Sequence, residues 1–284
     1  MDIPPFIFDI NNVEKFNQKE IYTLLSDIER ILEQEELLVY VPQGKTMIVG
    51  DLHGDYSTLM KIIDKFFKEN FYSLIFLGDY VDRGAKAVEV VNILFQLKRF
   101  MPERITLLRG NHEDPFINRQ YGFMDEIGLK FPNERGIFDR YNEVFSKLPL
   151  AAITWNDIFC VHGGVPEELE YIAEICDLPR EKGKITHPIS KQLVWNDPKE
   201  RLNGFKKSSR GSGVKEFGGD VFQEFLERNE IQGVIRSHER FKNGHKEYFD
   251  DKLISLFSSC SYSKRVVTCI GVIDSDGKID IVQI

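Results

Sequence analysis

Three times within the first 113 residues a short apolar run gives way to a polar loop that carries glycine, and twice that loop leads into an amphipathic stretch. The runs are Thr46 to Val49, Leu74 to Leu77 and Ile105 to Leu108. Each is short and predominantly apolar, as expected of a strand buried on both faces. Between them, Ser57 to Lys68 repeats Leu59, Ile62, Ile63 and Phe66 at helical spacing, and Ala85 to Phe100 does the same with Val88, Val91, Ile93 and Leu94. This order predicts right-handed βαβ units, so the three strands run parallel and their loops leave from one edge of the sheet. Open α/β sheets bind ligands at that edge.

Upstream, Ile21, Leu24, Leu25, Ile28, Ile31 and Leu32 predict an amphipathic helix over about 18–34 that packs on the core. After residue 150 the pattern changes to hairpin-like pairs, which suggest antiparallel strands. Ala151 to Thr154 pairs with Ile158 to Val161, and Val266 to Ile273 with Lys278 to Val282. Further strands are expected at Gly233 to Arg236 and Leu253 to Phe257. The whole reads as a mixed α/β protein, largely parallel in its first half and β-rich in its second. There is no internal repeat and no long Pro/Gly/Ser linker, the nearest being Ser208 to Gly213. One domain over 1–284 is therefore expected.

The chemistry sits in the loops. They read Gly50-Asp51-Leu52-His53-Gly54, Gly78-Asp79-Tyr80-Val81-Asp82-Arg83-Gly84 and Arg109-Gly110-Asn111-His112-Glu113, joined later by Val161-His162-Gly163-Gly164 and Arg236-Ser237-His238-Glu239. Four of the six histidines thus follow predicted strands, beside carboxylates and glycines. A lone Asp after a strand is ordinarily a helix cap and a lone His is ordinarily packed or solvated. Capping requires neither histidine nor paired glycines, and recurrence in five loops points to a metal cluster. Imidazole, carboxylate and amide donors without clustered cysteine suit ions such as Mn²⁺, Fe²⁺ or Zn²⁺. Asp79, in the central loop, is the candidate to bridge two of them.

These residues resemble the signatures GDxHG, GDxVDRG and GNHE of the phosphoprotein phosphatase family of metal-dependent Ser/Thr phosphatases. The likeness continues through INRQYGFMDE (117–126), LVWNDP (193–198) and LFSSCSYS (256–263) and covers roughly residues 20 to 275. It implies the metallophosphoesterase fold, a central β-sandwich of two mixed sheets flanked by helices in four layers, αββα, with a helical insertion over about 114–147. It also implies a hydrolase of phosphoserine and phosphothreonine in proteins, working through water activated between two divalent ions. Asp51, His53 and Asp79 would hold one ion, and Asp79, Asn111, His162 and His238 the other. His112 would protonate the leaving alcohol, Asp82 would orient His112, and Arg83, Arg210 and Asn111 would bind the phosphate. Tyr262 would border the pocket. The segment around Arg210 and the LFSSCSYS block both depart from the family pattern, the latter lacking Ala-Pro-Asn. Asn118 and Arg119 are read as structural, and His187 and His245 as surface residues.

Composition limits the partners. The net charge of −8 gives no reason to expect nucleic acid or an anionic membrane. Two divalent ions outweigh Asp51 and Asp79, and Arg83 with Arg210 adds to them, so a phosphate is attracted locally despite the acidic protein. No apolar run is long enough to span a bilayer, and the first residues lack a secretory signal. Four cysteines without CxxC spacing disfavour a disulfide framework, so a reducing cytoplasm is expected. The chain ends soon after its last expected strand, which argues against autoinhibition by a long C-terminal segment. A dinucleotide polyphosphate hydrolase or nuclease could use the same metal ligands, but the 117–126 insertion and the acidic balance weigh against both. A non-catalytic phosphate-binding scaffold is disfavoured because every candidate ligand and His112 are present.

Overall fold

The computed structural model describes residues 16–132, 136–260 and 266–284. In chain order the first elements are α1 (Gln18–Leu32), β1 (Leu38–Val41), β2 (Thr46–Val49), α2 (Tyr56–Lys68), β3 (Ser73–Phe76), α3 (Ala87–Phe100) and β4 (Ile105–Leu107). The insertion holds α4 (Pro115–Asn118), α5 (Phe123–Lys130) and α6 (Gly136–Phe145). Then follow β5 (Ala151–Thr154), β6 (Ile158–Val161), a 3-10 turn (Ile172–Asp177), α7 (Pro188–Trp195), β7 (Asp197–Pro198), β8 (Phe205–Lys207) and β9 (Lys215–Phe217). The last are α8 (Gly219–Asn229), β10 (Gly233–Arg236), β11 (His245–Tyr248), β12 (Leu253–Leu256), β13 (Cys269–Ile273) and β14 (Ile279–Gln283).

Side-chain alternation on the strands generates the layers. In β2, Met47 and Val49 enter an apolar cluster with the helices, while Ile48 enters a cluster between the two sheets. β3 repeats this with Leu74 and Phe76 on the helical side and Ile75 between the sheets. From the opposite sheet, Phe159 and Val161 of β6 face outward and Ile158 and Cys160 inward. Strands clothed on both faces explain the continuous apolar runs. The five-stranded sheet has the order β14-β13-β2-β3-β4, and the six-stranded sheet β1-β5-β6-β10-β12-β11. Helices α1, α2, α3, α5 and α6 cover the first; the 3-10 turn, α7 and α8 cover the second. This is the expected αββα sandwich of two mixed sheets.

Strands β2, β3 and β4 are parallel, as the βαβ grammar requires. The β5–β6 and β13–β14 hairpins are antiparallel. The second half is less antiparallel than its hairpins suggest, because β10 runs parallel to both β6 and β12. A further difference is β1, which joins the six-stranded sheet alongside β5, parallel to it. All five candidate loops leave from the carboxyl ends of β2, β3, β4, β6 and β10, so the two sheets present them to one rim.

The N-terminal helix begins with a reciprocal cap: Asn17 Oδ1 accepts from Glu20 N–H (3.1 Å) and the Glu20 carboxylate accepts from Asn17 N–H (2.8 Å). Its buried stripe of Ile21, Leu24, Leu25, Ile28 and Leu32 seats it on α3 and α6. Leu25→Ala should lower stability by about 2–5 kcal/mol through lost transfer energy and a residual cavity. A shift of the urea midpoint at constant slope checks this. A change under about 1 kcal/mol would show that the helix is loosely docked.

Candidate active site

The five loops are hydrogen-bonded to one another, Ser237 N–H to His162 O (3.0 Å) joining the last two. Leu52 and His53 N–H both donate to Asp79 O (3.0 and 2.9 Å), joining the first loop to the second. Glu113, wholly buried, accepts from the N–H groups of Asp79 and Tyr80 (both 2.8 Å) and of Gly110 (2.9 Å), joining the second to the third. His238 N–H donates to Asp51 Oδ1 (3.0 Å), tying in the last loop. Close approach is essential here: a Cβ on Gly110 would sit 2.3 Å from Asp79 Oδ1, so only glycine fits. His53, Asp79, Asp82, Arg83 and His238 all have left-handed backbones, with φ between 44° and 71°. Such conformations are costly for residues with a Cβ, and here they concentrate in the loops that meet at the rim.

The imidazoles are oriented by their second nitrogens. His53 Nδ1–H donates to Val81 O (2.8 Å), turning Nε2 toward Asp79 Oδ2 (3.5 Å) and Asp51 Oδ2 (3.7 Å). His162 Nδ1–H points at Leu77 O (3.0 Å), so Nε2 faces Asn111 Oδ1 at 2.9 Å and Asp79 Oδ1 at 3.3 Å. Burial opposes a charge there, but Asp79 and Asp51 raise His162 above the usual histidine range, so in the absence of an ion Nε2–H donates to the Asn111 oxygen, and a cation bound there would take the place of that proton. His238 Nε2 is buried and has no hydrogen-bond partner among the described residues. It belongs with Asp79 and His162 to a group whose ligand atoms all lie within 4.8 Å of one another, and His53, Asp79 and His112 form a second such group. The donors therefore fit divalent ions, with Asp79 common to both groups. Burial, aided by repulsion from neighbouring imidazoles, holds His53 below and His238 well below the usual histidine range, which favours the neutral form that ligates. Asp79 is held well below the usual carboxylate range: burial would raise it, but His162, His112 and His53 outweigh burial.

His112 stands apart in its partners. Its Nδ1 lies 2.5 Å from Asp82 Oδ2, and its Nε2 faces Asp79 Oδ2 at 3.9 Å. Asp82 is fixed in turn, since its other oxygen accepts from Phe123 N–H (3.0 Å). Burial alone would depress His112, yet Asp79 and Asp82 outweigh it and push the imidazole up to about 9. Burial first, and then the Asp79 carboxylate, lift Glu113 to about 7.

A cavity of about 560 Å³ opens over this cluster, lined by Asp51, His53, Asp79, Asn111, His112 and His238 below and by Arg83, Arg210, Arg240 and Trp195 around the mouth. The Arg83 guanidinium lies 4.1 Å from the centre of the Tyr121 ring, and Arg210 is paired with Asp197. Asp197 also binds the fully buried Arg236 (2.8 Å), whose guanidinium donates to the carbonyls of Gly163 and Asn196. Every predicted site residue among the described residues is thus at or beside the cavity. Tyr262 lies outside the described residues. Asn118 is buried against Asn142 (2.8 Å) and the Arg119 guanidinium lies over Phe138. His187 and His245, expected at the surface, are half-buried, each with Nδ1 shielded from solvent, and neither lines the cavity. Sequence reasoning did not single out Glu113, Asp197 or Arg240. Glu113 stands inside the GNHE signature and Asp197 inside LVWNDP, so those motifs carried the signal; Arg240 follows His238 by two positions and looks like an ordinary surface charge.

Residues 44–239 match the family described as calcineurin-like phosphoesterase. The serine/threonine-protein phosphatase PP1-delta of Caenorhabditis elegans is 32% identical over 87% of this chain and 80% of its own length. A protein of Encephalitozoon cuniculi named "probable serine/threonine-protein phosphatase" is 37% identical over 83% of the chain, which spans only 53% of that relative. Among solved structures, a Saccharomyces cerevisiae protein serine/threonine phosphatase, described as similar to human phosphatase PP5, superposes with a TM-score of 0.89 at 27% identity, covering 99% of this chain and 95% of its own. No helix among the described residues is long and apolar enough to cross a membrane. The signature loops, their convergence on one rim and these relatives agree, and the chain belongs to the phosphoprotein phosphatase family of the calcineurin-like phosphoesterases.

Proposed function

We propose that this protein hydrolyses phosphoserine and phosphothreonine monoesters in phosphoprotein substrates, in one catalytic domain and in the cytoplasm. The observation that carries the reading is the cavity itself, where two groups of metal donors overlap at Asp79, one of them including His112, which Asp82 holds, with Arg83 and Arg210 in the same wall. Asp51, His53 and Asp79 would hold one divalent ion, and Asp79, Asn111, His162 and His238 a second. Bound there, the pair supplies an acidified water and neutralises phosphate charge. Manganese fits the donors, with iron and zinc as the other candidates.

The chain's own groups do the rest. Arg83 and Arg210 grip the equatorial phosphate oxygens, where charge builds in an in-line displacement. Asn111 adds an amide that both phosphate and ion can use. His112 delivers a proton from Nε2 to the departing serine or threonine oxygen, while Asp82 holds the ring through Nδ1. The aromatic rim narrows access for water, and the phosphorylated side chain enters from the open mouth. This reading calls for no covalent phosphoenzyme, and no Ser, Thr or Cys is among the described residues that line the cavity.

The test is steady-state hydrolysis of a phosphoserine/phosphothreonine peptide by chelator-stripped protein, before and after adding Mn²⁺, with a dinucleotide polyphosphate as the rival substrate. Turnover of the phosphopeptide that appears on Mn²⁺ addition is the expected result. Folded protein that turns over no phosphopeptide with any divalent ion, or that prefers the dinucleotide, overturns the reading.

A further inference from the structure

We infer that Asp197 is a positioning residue: one carboxylate oxygen holds Arg210 at the cavity wall while the buried Arg236 fixes the other. The inference rests on the reading above in which Arg210 grips phosphate. Arg210 stands in the turn between β8 and β9, and every residue of that turn from Ser209 to Gly213 is exposed. A Cβ on Gly211 would meet nothing within 4 Å, and one on Gly213 only the Lys191 side chain at 3.8 Å, so packing does not fix the turn. Its bonds are few and local: Arg210 N–H to Ser208 Oγ (3.2 Å), Val214 N–H to Gly211 O (3.3 Å) and Lys191 Nζ to Ser212 O (2.6 Å). An arginine side chain on such a turn carries about 2 kcal/mol of rotamer entropy that phosphate binding would have to offset. Among the described residues its guanidinium hydrogen-bonds to Asp197 alone, Nε–H donating to Oδ2. That bond uses one N–H of the fork and leaves both Nη groups for a phosphate.

Asp197 is itself held from the interior. It lies in β7, in register with Glu216 of β9, and its side chain is buried. Oδ1 accepts from Arg236 Nη2 (2.8 Å), and Arg236 also donates to Asn196 O (3.1 Å), Gly163 O, Ser255 Oγ (3.1 Å) and Glu239 (3.0 Å). Gly163 follows His162, and Arg236 stands two residues before His238, so the anchor of Arg210 is shared with two loops that carry metal donors. An asparagine at 197 would keep the shape but offer one oxygen where two guanidiniums now each have one. A buried cation without its partner costs more than a half-exposed one, so the single oxygen stays with Arg236 and Arg210 is released.

The experiment is a double-mutant cycle of Asp197→Asn with Arg210→Ala, read on two quantities. One is the Kd of inorganic phosphate for Mn²⁺-reconstituted protein by titration calorimetry, and the other is kcat and KM for a phosphoserine peptide. Asp197→Asn alone should raise the phosphate Kd roughly fivefold to twentyfold and lower kcat/KM at least as much. In the Arg210→Ala background it should add less than about twofold to either, because the group it positions is gone. Asp197→Glu keeps the counter-charge of Arg236 and should lose less than Asp197→Asn; if the asparagine variant does not fold, the glutamate variant carries the cycle. Equal losses in both backgrounds would show that Asp197 acts only through the framework around Arg236 and would overturn the inference. So would an Asp197→Asn variant that binds phosphate as tightly as wild type, or more tightly. A non-additive cycle in phosphate Kd with no peptide turnover by wild-type protein would sink the phosphatase reading and leave the positioning role standing.

Discussion

Asp79→Asn is expected to lower kcat/KM for a phosphoserine peptide by roughly a thousandfold, about 4 kcal/mol of lost transition-state stabilisation. The two oxygens of this one carboxylate face different histidines, Oδ2 at 3.5 Å from His53 Nε2 and Oδ1 at 3.3 Å from His162 Nε2. It is also the member common to both groups of potential ligands. Asparagine keeps the shape and can still accept from His112 N–H through Oδ1, as Asp79 does at 2.9 Å. It removes the charge and puts an amide where one of the oxygens was, so only one side of the site keeps an oxygen donor. The fold should survive, because the surrounding loops are joined by main-chain bonds to Asp79 O and to Glu113 that the substitution leaves intact. Metal content gives a readout independent of turnover: wild-type protein should carry two ions per chain after reconstitution and the variant fewer. A variant that holds two ions and turns over at a rate close to wild type would sink the bridging role.

The residues that made this site readable were those whose positions local pattern constrains. A strand buried on both faces, a tight glycine turn and a following helix leave signs within a dozen residues, so β2, β3 and β4 and their loops were legible to within a residue or two. Long-range partnership leaves no such sign. β1 is only four residues long, and its partner β5 lies more than a hundred residues downstream, which is why its place in the second sheet was not foreseen. The small sheet of β7, β9 and β8 was hidden for another reason, since Lys206 and Lys207 of β8 are exposed and carry no apolar alternation. The same division holds in the site. Asp51, His53, Asp79, Asn111, His112, His162 and His238 announced themselves by residue type and spacing, and the structure brings all of them to one rim. Glu113 did not, because its three N–H donors belong to residues that only folding brings to it, and a buried carboxylate reads in sequence like any other. The roles proposed for Asp82 and Arg210 came from family likeness, and the geometry now gives them partners in His112 and Asp197.

His112→Asn separates proton donation from the rest of catalysis because it can be read on two leaving groups. On a phosphoserine peptide the departing oxygen is a poor leaving group that needs a proton, and removing a positioned acid should lower kcat by about a hundredfold to a thousandfold. On p-nitrophenyl phosphate the nitrophenolate leaves without help, and the loss should stay below about tenfold. The geometry makes asparagine a fair substitute in other respects. The backbone N–H that donates to Asp79 Oδ1 is unchanged, and a side-chain amide can still donate toward Asp82. What disappears is Nε2, the nitrogen that faces the cavity. KM for the peptide should therefore move little, since ground-state binding rests mainly on Arg83, Arg210 and the ion-holding residues. Asp82→Asn offers a graded control: His112 stays in place but loses the carboxylate that holds its ring, so the same asymmetry between substrates should appear with a smaller amplitude. Equal losses on peptide and nitrophenyl ester for His112→Asn would mean that this histidine acts on the phosphate or on ion binding. The proton would then have to reach the leaving oxygen from another group, with Asp82 serving only to close the loop against Phe123.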